Sequence, residues 1–141
     1  MTSIPFPLEI VIEATPISLS GSTASKERWK QEIAGQARLR LRGVTDWYWL
    51  DERPIAVTIF YFPIARMGGD VDNIVKLILD GMKAVVYPND NVVERIVVQK
   101  FEPSVPWSIP VPTRQLAIAL DAAPPVVYIR IDDDLSWRDA P

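Results

Sequence analysis

The chain contains no cysteine and no histidine. Without cysteine there is no disulfide scaffold and no thiolate nucleophile, which fits a reducing compartment and sets the expectation of a cytoplasmic protein. Without histidine the usual general base near neutral pH and the commonest metal ligand are both missing. Any chemistry then falls to Asp, Glu, Lys, Arg, Ser, Thr or Tyr, and a metal held by such oxygen ligands is magnesium, manganese or calcium rather than zinc. The N-terminus lacks the basic start and unbroken apolar block of a signal peptide, and no apolar run reaches membrane-spanning length, so neither export nor a membrane partner is expected. There is no internal repeat and no glycine-rich phosphate loop.

What is present describes one soluble globular domain over residues 1–141. The length suits a single core, and 48% hydrophobic with 23% charged residues excludes a disordered or fibrous chain. A net charge of −3 argues at first against a nucleic-acid partner, whose phosphates demand positive charge. The distribution is uneven, however. From Asp121 onward five acids face two arginines, which accounts for the whole deficit, whereas Ser22 to Arg42 holds Lys26, Arg28, Lys30, Arg38, Arg40 and Arg42 against only Glu27 and Glu32. That run is either a solvated helix face or a basic face for phosphates.

The hydrophobic periods place the elements. Leu8 to Ala14 alternates as a first strand. After the SLSGSTAS link, Ser25 is the expected cap of a helix carrying Trp29, Ile33, Ala37 and Leu41 at fourfold spacing. DWYWLDERP reads as a loop, and Ile55 to Phe62, IAVTIFYF, as a central β-branched and aromatic strand. ARMGG breaks it; Val71 to Val86 reads as a second helix, stopped by Tyr87-Pro88-Asn89-Asp90. Asn91 to Phe101 gives a strand, the proline-rich 102–125 segment reads as mostly irregular with a doubtful short element at 116–120, and VVYIRI at 126–131 is the last strand. The acidic tail, 132–141, is expected to be frayed or lightly docked.

The sharpest feature is GGDVDNIVKLILDGMKAVVYPNDNVV, residues 68–93. On a helical wheel Asp72, Lys76, Asp80 and Lys83 share one narrow polar stripe of an otherwise apolar helix, with Asp72, Lys76 and Asp80 at successive i, i+4 steps. Asp70 precedes the stripe, and Asp90 returns after the turn. Taken singly, an Asp before an apolar run is a cap, Asp72 with Lys76 an ion pair, and Asn89-Asp90 turn chemistry. As a set, Asp70, Asp72 and Asp90 crowd like charges that a divalent cation relieves. DVDN also begins like a calcium loop, but the sixth position is Val75 rather than Gly and the twelfth Gly81 rather than Glu.

The pattern D-x-D-N-x-x-K-x-x-x-D followed by a spacer, an acidic pair and a hydrophobic strand stands here as Asp70, Asp72, Asn73, Lys76, Asp80, then Asn89, Asp90 and Val93. It resembles the RusA family of Holliday-junction resolvases, and with the preceding strand, basic helix and strand the likeness spans most of residues 8–101. The resemblance implies an α+β fold, a mixed sheet of about four to five strands packed by two main helices, and a homodimeric Mg²⁺-dependent endodeoxyribonuclease, with Mn²⁺ as a substitute ion, that cuts branched DNA in recombination and repair. It implies that Asp70, Asp72 and Asp90 hold the metal and that Lys76 is required for cleavage. Where the family typically carries two adjacent acids after the spacer, this chain has Asn89-Asp90; Asp90 in the second place keeps the metal set complete.

Histidine-free phosphodiester hydrolysis by carboxylate-bound Mg²⁺ is sound chemistry. Lys26, Arg28 and Lys30 of the first helix, with Arg66 beside the acid turn, are the candidate phosphate contacts. Trp47, Tyr48 and Trp49 suggest packing under the loop or at an interface before base stacking. Two other classes stay open: a junction-binding protein of the same fold without turnover, and a plain α+β interaction module.

Overall fold

A computed structural model describes residues 4–42 and 53–139. Within them the chain runs β1 (Leu8–Ile12), α1 (Thr23–Leu41), β2 (Ile55–Phe62), a 3₁₀ turn (Val71–Ile74), α2 (Val75–Met82), a 3₁₀ turn (Asp90–Val92), β3 (Val93–Lys100), α3 (Arg114–Asp121), β4 (Val126–Asp132) and a closing 3₁₀ turn (Ser136–Asp139). The four strands form one mixed sheet in the order β1-β4-β2-β3. β4 pairs antiparallel with both β1 and β2, and β2 pairs parallel with β3 across the α2 connection. This is the expected α+β domain.

The sheet has a core on each face because its strands alternate. Leu8, Ile10 and Ile12 of β1, Ile55, Val57 and Ile59 of β2, and Val127, Ile129 and Ile131 of β4 point to one side, where α1 and α2 cover them. α1 meets this layer with Trp29, Ile33, Ala37 and Leu41, all buried, as the fourfold spacing requires. Burying each large aliphatic among them contributes about 1.5–3 kcal/mol. On the opposite face Phe62, Val126 and Tyr128 gather under Leu116 and Ala119 of α3. Phe60, Phe62, Phe101 and Trp107 extend that second core; Phe62 stacks on Phe101 with ring centroids 5.0 Å apart.

Three readings of the sequence need correction. The α1 cap is Ser22, whose side chain accepts from the Ser25 N–H at 3.1 Å; Ser25 lies inside the first turn and donates nothing to the cap but its amide. The second helix does not run to Val86. After Met82, Lys83 turns extended (ψ 137°) and Ala84 takes a left-handed φ of 66°, a conformation that costs a non-glycine residue about 1–2 kcal/mol. The reversal folds Val85, Val86 and Tyr87 back into the core, and the Tyr87 hydroxyl donates to the Leu79 carbonyl at 2.8 Å. The apolar run was continuous because turn and helix are both buried.

The proline-rich segment contains a third helix, α3, capped by Thr113, whose side chain accepts from the Leu116 N–H at 3.1 Å. Of the two states expected for the tail, the docked one is found: Asp133 meets Arg53 at 2.8 Å, and Arg138 forks onto Glu94 with Nε and Nη2. Trp47, Tyr48 and Trp49 lie outside the described residues.

α1 and α2 approach closely at Gly81. A Cβ there would sit 2.8 Å from Ile33 Cβ and 3.0 Å from the Lys30 carbonyl oxygen. Alanine gains about 1 kcal/mol in helix propensity over glycine, but overpacking of this kind costs about 1–3 kcal/mol, and a backbone carbonyl cannot swing aside. Gly81→Ala is therefore expected to lower the thermal midpoint by a few degrees in a melting curve, and an unchanged or raised midpoint contradicts the close contact.

Candidate metal and nucleic-acid site

The site lies where β2 ends, the Val71–Ile74 turn begins and the chain returns to β3. Asp70 is the N-cap residue of that turn, yet its carboxylate makes no capping hydrogen bond. Cap duty does not explain it. Asp72 sits inside the same 3₁₀ turn, which advances about 120° per residue rather than 100°. The helical stripe therefore breaks between Asp72 and Lys76. The expected Asp72–Lys76 ion pair does not form, and among the described residues neither Asp70 nor Asp72 has a hydrogen-bond or ion-pair partner for its carboxylate; both are exposed.

Lys76 instead bridges two acids. Its Nζ lies 2.9 Å from Asp80 Oδ1 and 2.8 Å from Asp90 Oδ2. Asp80 is its i+4 partner on α2, while Asp90 arrives from the second 3₁₀ turn. Tyr87, between them, anchors the connection through Leu79, and burial, followed by the charges of Asp90 and Asp80, keeps its phenol protonated and donating. Hydrogen bonds from Lys76 to Asp90 first and Asp80 second raise the Lys76 ammonium above its ordinary value, and the same Lys76 bond lowers Asp90. Both are thus held in their charged forms. Asn89 is exposed and its side chain caps nothing.

Asp70, Asp72 and Asp90 have the oxygen chemistry that Mg²⁺ or Mn²⁺ takes, and two of the three carboxylates are uncommitted, so the donor set fits a hard cation. The expected convergence of all three is not there. Among the described residues no group of three or more acidic side chains is gathered tightly enough to hold a metal ion. Asp90 is instead neutralised by the Lys76 ammonium, 2.8 Å from its Oδ2.

The basic candidates divide by position. Arg66 is exposed on the loop that leads to Asp70, and it lines a groove of about 530 Å³ with Asp70, Asn73, Ser18 and Ser20. The start of α1 is tied to the same place, since the Leu19 N–H donates to the Asn73 carbonyl at 3.2 Å and Lys26 Nζ donates to the Leu19 carbonyl at 3.3 Å. Lys30 is engaged by Glu27 at 2.7 Å. Arg28 is exposed, with a long 3.4 Å contact to Ser25 Oγ. Arg66 and Lys26 are thus brought to the acid turn, whereas Arg28 and Lys30 lie farther along the helix. The i+4 spacing that put Asp80 within reach of Lys76 is realised as this ion pair, though no role at the site had been given to Asp80.

No helix among the described residues is long and apolar enough to cross a membrane. No curated protein and no solved structure matches the chain. A family model described as endodeoxyribonuclease RusA does match, over residues 21–109. That interval is well over half of the 141 residues and holds α1, β2, the acid turn, Lys76, Asp90 and β3. The chain belongs to the RusA endodeoxyribonuclease family.

Proposed function

We propose that the protein is a divalent-cation-dependent endonuclease that resolves four-way DNA junctions by paired symmetric nicks. The observation that carries this reading is the pair of uncommitted, exposed carboxylates on Asp70 and Asp72, which lie with Lys76 and Asp90 inside the segment that matches the family. Among the described residues neither Asp70 nor Asp72 serves as a side-chain cap or an ion-pair partner. Asp70, Asp72 and Asp90 are the residues that would hold Mg²⁺, or Mn²⁺ in its place. When bound, the cation supplies a water that is nucleophilic at neutral pH and offsets charge on the scissile phosphate.

The chain's own contributions follow from its geometry. Lys76 offers a permanent positive charge within reach of Asp90 and so of a phosphate bound there. Asp80 gives that ammonium a second anchor besides Asp90. Arg66 and Lys26 line the approach for the DNA backbone, with Arg28 and Lys30 extending the track along α1; such contacts position branched DNA without reading its bases. A twofold-symmetric homodimer presents two copies of the site, which suits two symmetric cuts.

A junction-binding protein without turnover is the second reading, favoured by Asn89 in place of an acid and by Lys76 lying on Asp90. One assay separates the two. The protein is incubated with a labelled synthetic four-way junction or plain duplex, in Mg²⁺ or in EDTA. Symmetric nicks in the junction that need Mg²⁺ support the nuclease, and tight binding with no nicks in Mg²⁺ or Mn²⁺ supports the binding protein.

A further inference from the structure

The loop from Pro63 to Gly69 joins β2 to the acid turn, carries Arg66 and ends one residue before Asp70. Its two ends are fixed. Upstream, Phe62 is buried against Phe101, and the Phe101 N–H donates to the Tyr61 carbonyl at 2.8 Å. Downstream, the Asn73 N–H donates to the Asp70 carbonyl at 3.1 Å. Between these points Pro63 is buried and Met67 packs against the core, but nothing lies within 4 Å of where a Cβ on Gly68 or Gly69 would stand, and Ile64, Ala65 and Arg66 are exposed.

Among the described residues the loop makes one hydrogen bond to the rest of the protein. The Met67 N–H donates to Glu102 Oε2 at 2.6 Å. Glu102 is well placed for this, because it follows Phe101, which is packed among Phe60, Phe62 and Trp107, and its side chain is only 11% exposed. The Met67 donation, then Lys100 at 3.3 Å and the charge of Arg66, hold the Glu102 carboxyl below the usual carboxylate range. It is an anion, and charge-assisted bonds of this kind are roughly twice as strong as neutral ones.

We propose that Glu102 is a positioning residue, which through the Met67 amide fixes the loop that carries Arg66 and delivers Asp70 to the site. The proposal rests on the nuclease reading. Nothing in residues 102–125 had suggested a part in the chemistry, and Glu102 touches neither the acid turn nor Lys76. Its influence runs through the Met67 amide, with the charge of Arg66 beside it, and a misplacement of about 1 Å at a reacting centre can cost 100-fold in rate.

The test compares Glu102→Ala and Glu102→Gln with the unaltered protein by three measurements: amide exchange at Met67, steady-state cleavage of a four-way junction with its kcat and KM, and the thermal midpoint. Glu102→Ala is expected to speed Met67 exchange at least about tenfold and to lower kcat about tenfold, with KM moving less than about threefold. Glu102→Gln keeps an oxygen acceptor and is expected to recover most of both losses. Cleavage unchanged in Glu102→Ala despite a freed Met67 amide overturns the proposal, as does a Gln variant no better than the Ala variant at equal thermal midpoints. An unaltered Met67 exchange rate in Glu102→Ala brings down the tether alone. An unaltered protein that cuts no junction in Mg²⁺ or Mn²⁺ brings down the nuclease reading itself.

Discussion

Asp72→Asn is expected to lower junction cleavage by more than about 100-fold, because replacing groups that merely support a metal ligand typically costs 10–100-fold and Asp72 is here proposed as a ligand itself. The substitution keeps the shape of the side chain and removes its charge. Asp72 is exposed and has no partner among the described residues, so nothing in the fold depends on it. Surface changes of this kind usually shift stability by less than about 0.5 kcal/mol, and the melting curve of the variant should overlay that of the unaltered protein. Junction binding measured by gel shift in EDTA should hold or tighten, since one negative charge leaves a surface that meets phosphates. Cleavage within about tenfold of the unaltered rate would take Asp72 out of the ion's coordination shell.

Lys76→Ala is expected to move two properties in opposite directions. Cleavage falls, by about 10²–10³-fold if the ammonium stabilises charge that builds on the phosphate. Cation affinity rises, because Lys76 and a divalent ion compete for the same Asp90 oxygen, now 2.8 Å from Nζ. Removing the lysine returns Asp90 to the carboxylate set and deletes a nearby like charge, for an expected gain of several-fold in Mn²⁺ affinity. Stability should change little, since Lys76 is half exposed and surface ion pairs contribute about 0–1 kcal/mol. A purely structural lysine gives no such split. If cleavage and cation affinity fall together, Lys76 organises the acids instead of competing for one of them.

The parts of the molecule that were legible in its sequence are those set by one-dimensional periods. Ile55 to Phe62 alternates and carries β-branched and aromatic residues, and it is a central strand; Trp29, Ile33, Ala37 and Leu41 recur every fourth residue, and they are the buried face of α1. The acid turn was found because its residues lie within 21 positions of each other, from Asp70 to Asp90. Its internal geometry was not legible. A single 3₁₀ turn rotates Asp72 off the α2 stripe, and burial looks the same in sequence whether Val85 and Val86 continue a helix or fold back under it.

α3 was read only as a short element at 116–120 because of the prolines around it, although Thr113 followed by Leu116 and Ala119 is a capped, half-buried helix start. Glu102 had no sequence signal at all. Its partner is a backbone N–H 35 residues earlier, and backbone donors look alike in every sequence. The docking of Arg138 on Glu94, 44 residues apart, was invisible for the same reason of distance. Contacts that depend on which loop lies beside which strand end are decided by the sheet order β1-β4-β2-β3, and local propensity does not contain that order.

The account stands on Asp70, Asp72 and Asp90 taking up a divalent cation. Calorimetric titration of the pure protein with Mn²⁺ and with Mg²⁺, repeated on Asp72→Asn and Lys76→Ala, tests this without DNA. Saturable uptake by the unaltered protein, weakened at least about tenfold in Asp72→Asn and strengthened in Lys76→Ala, is the predicted result; no uptake by the unaltered protein, or uptake indifferent to Asp72, contradicts it.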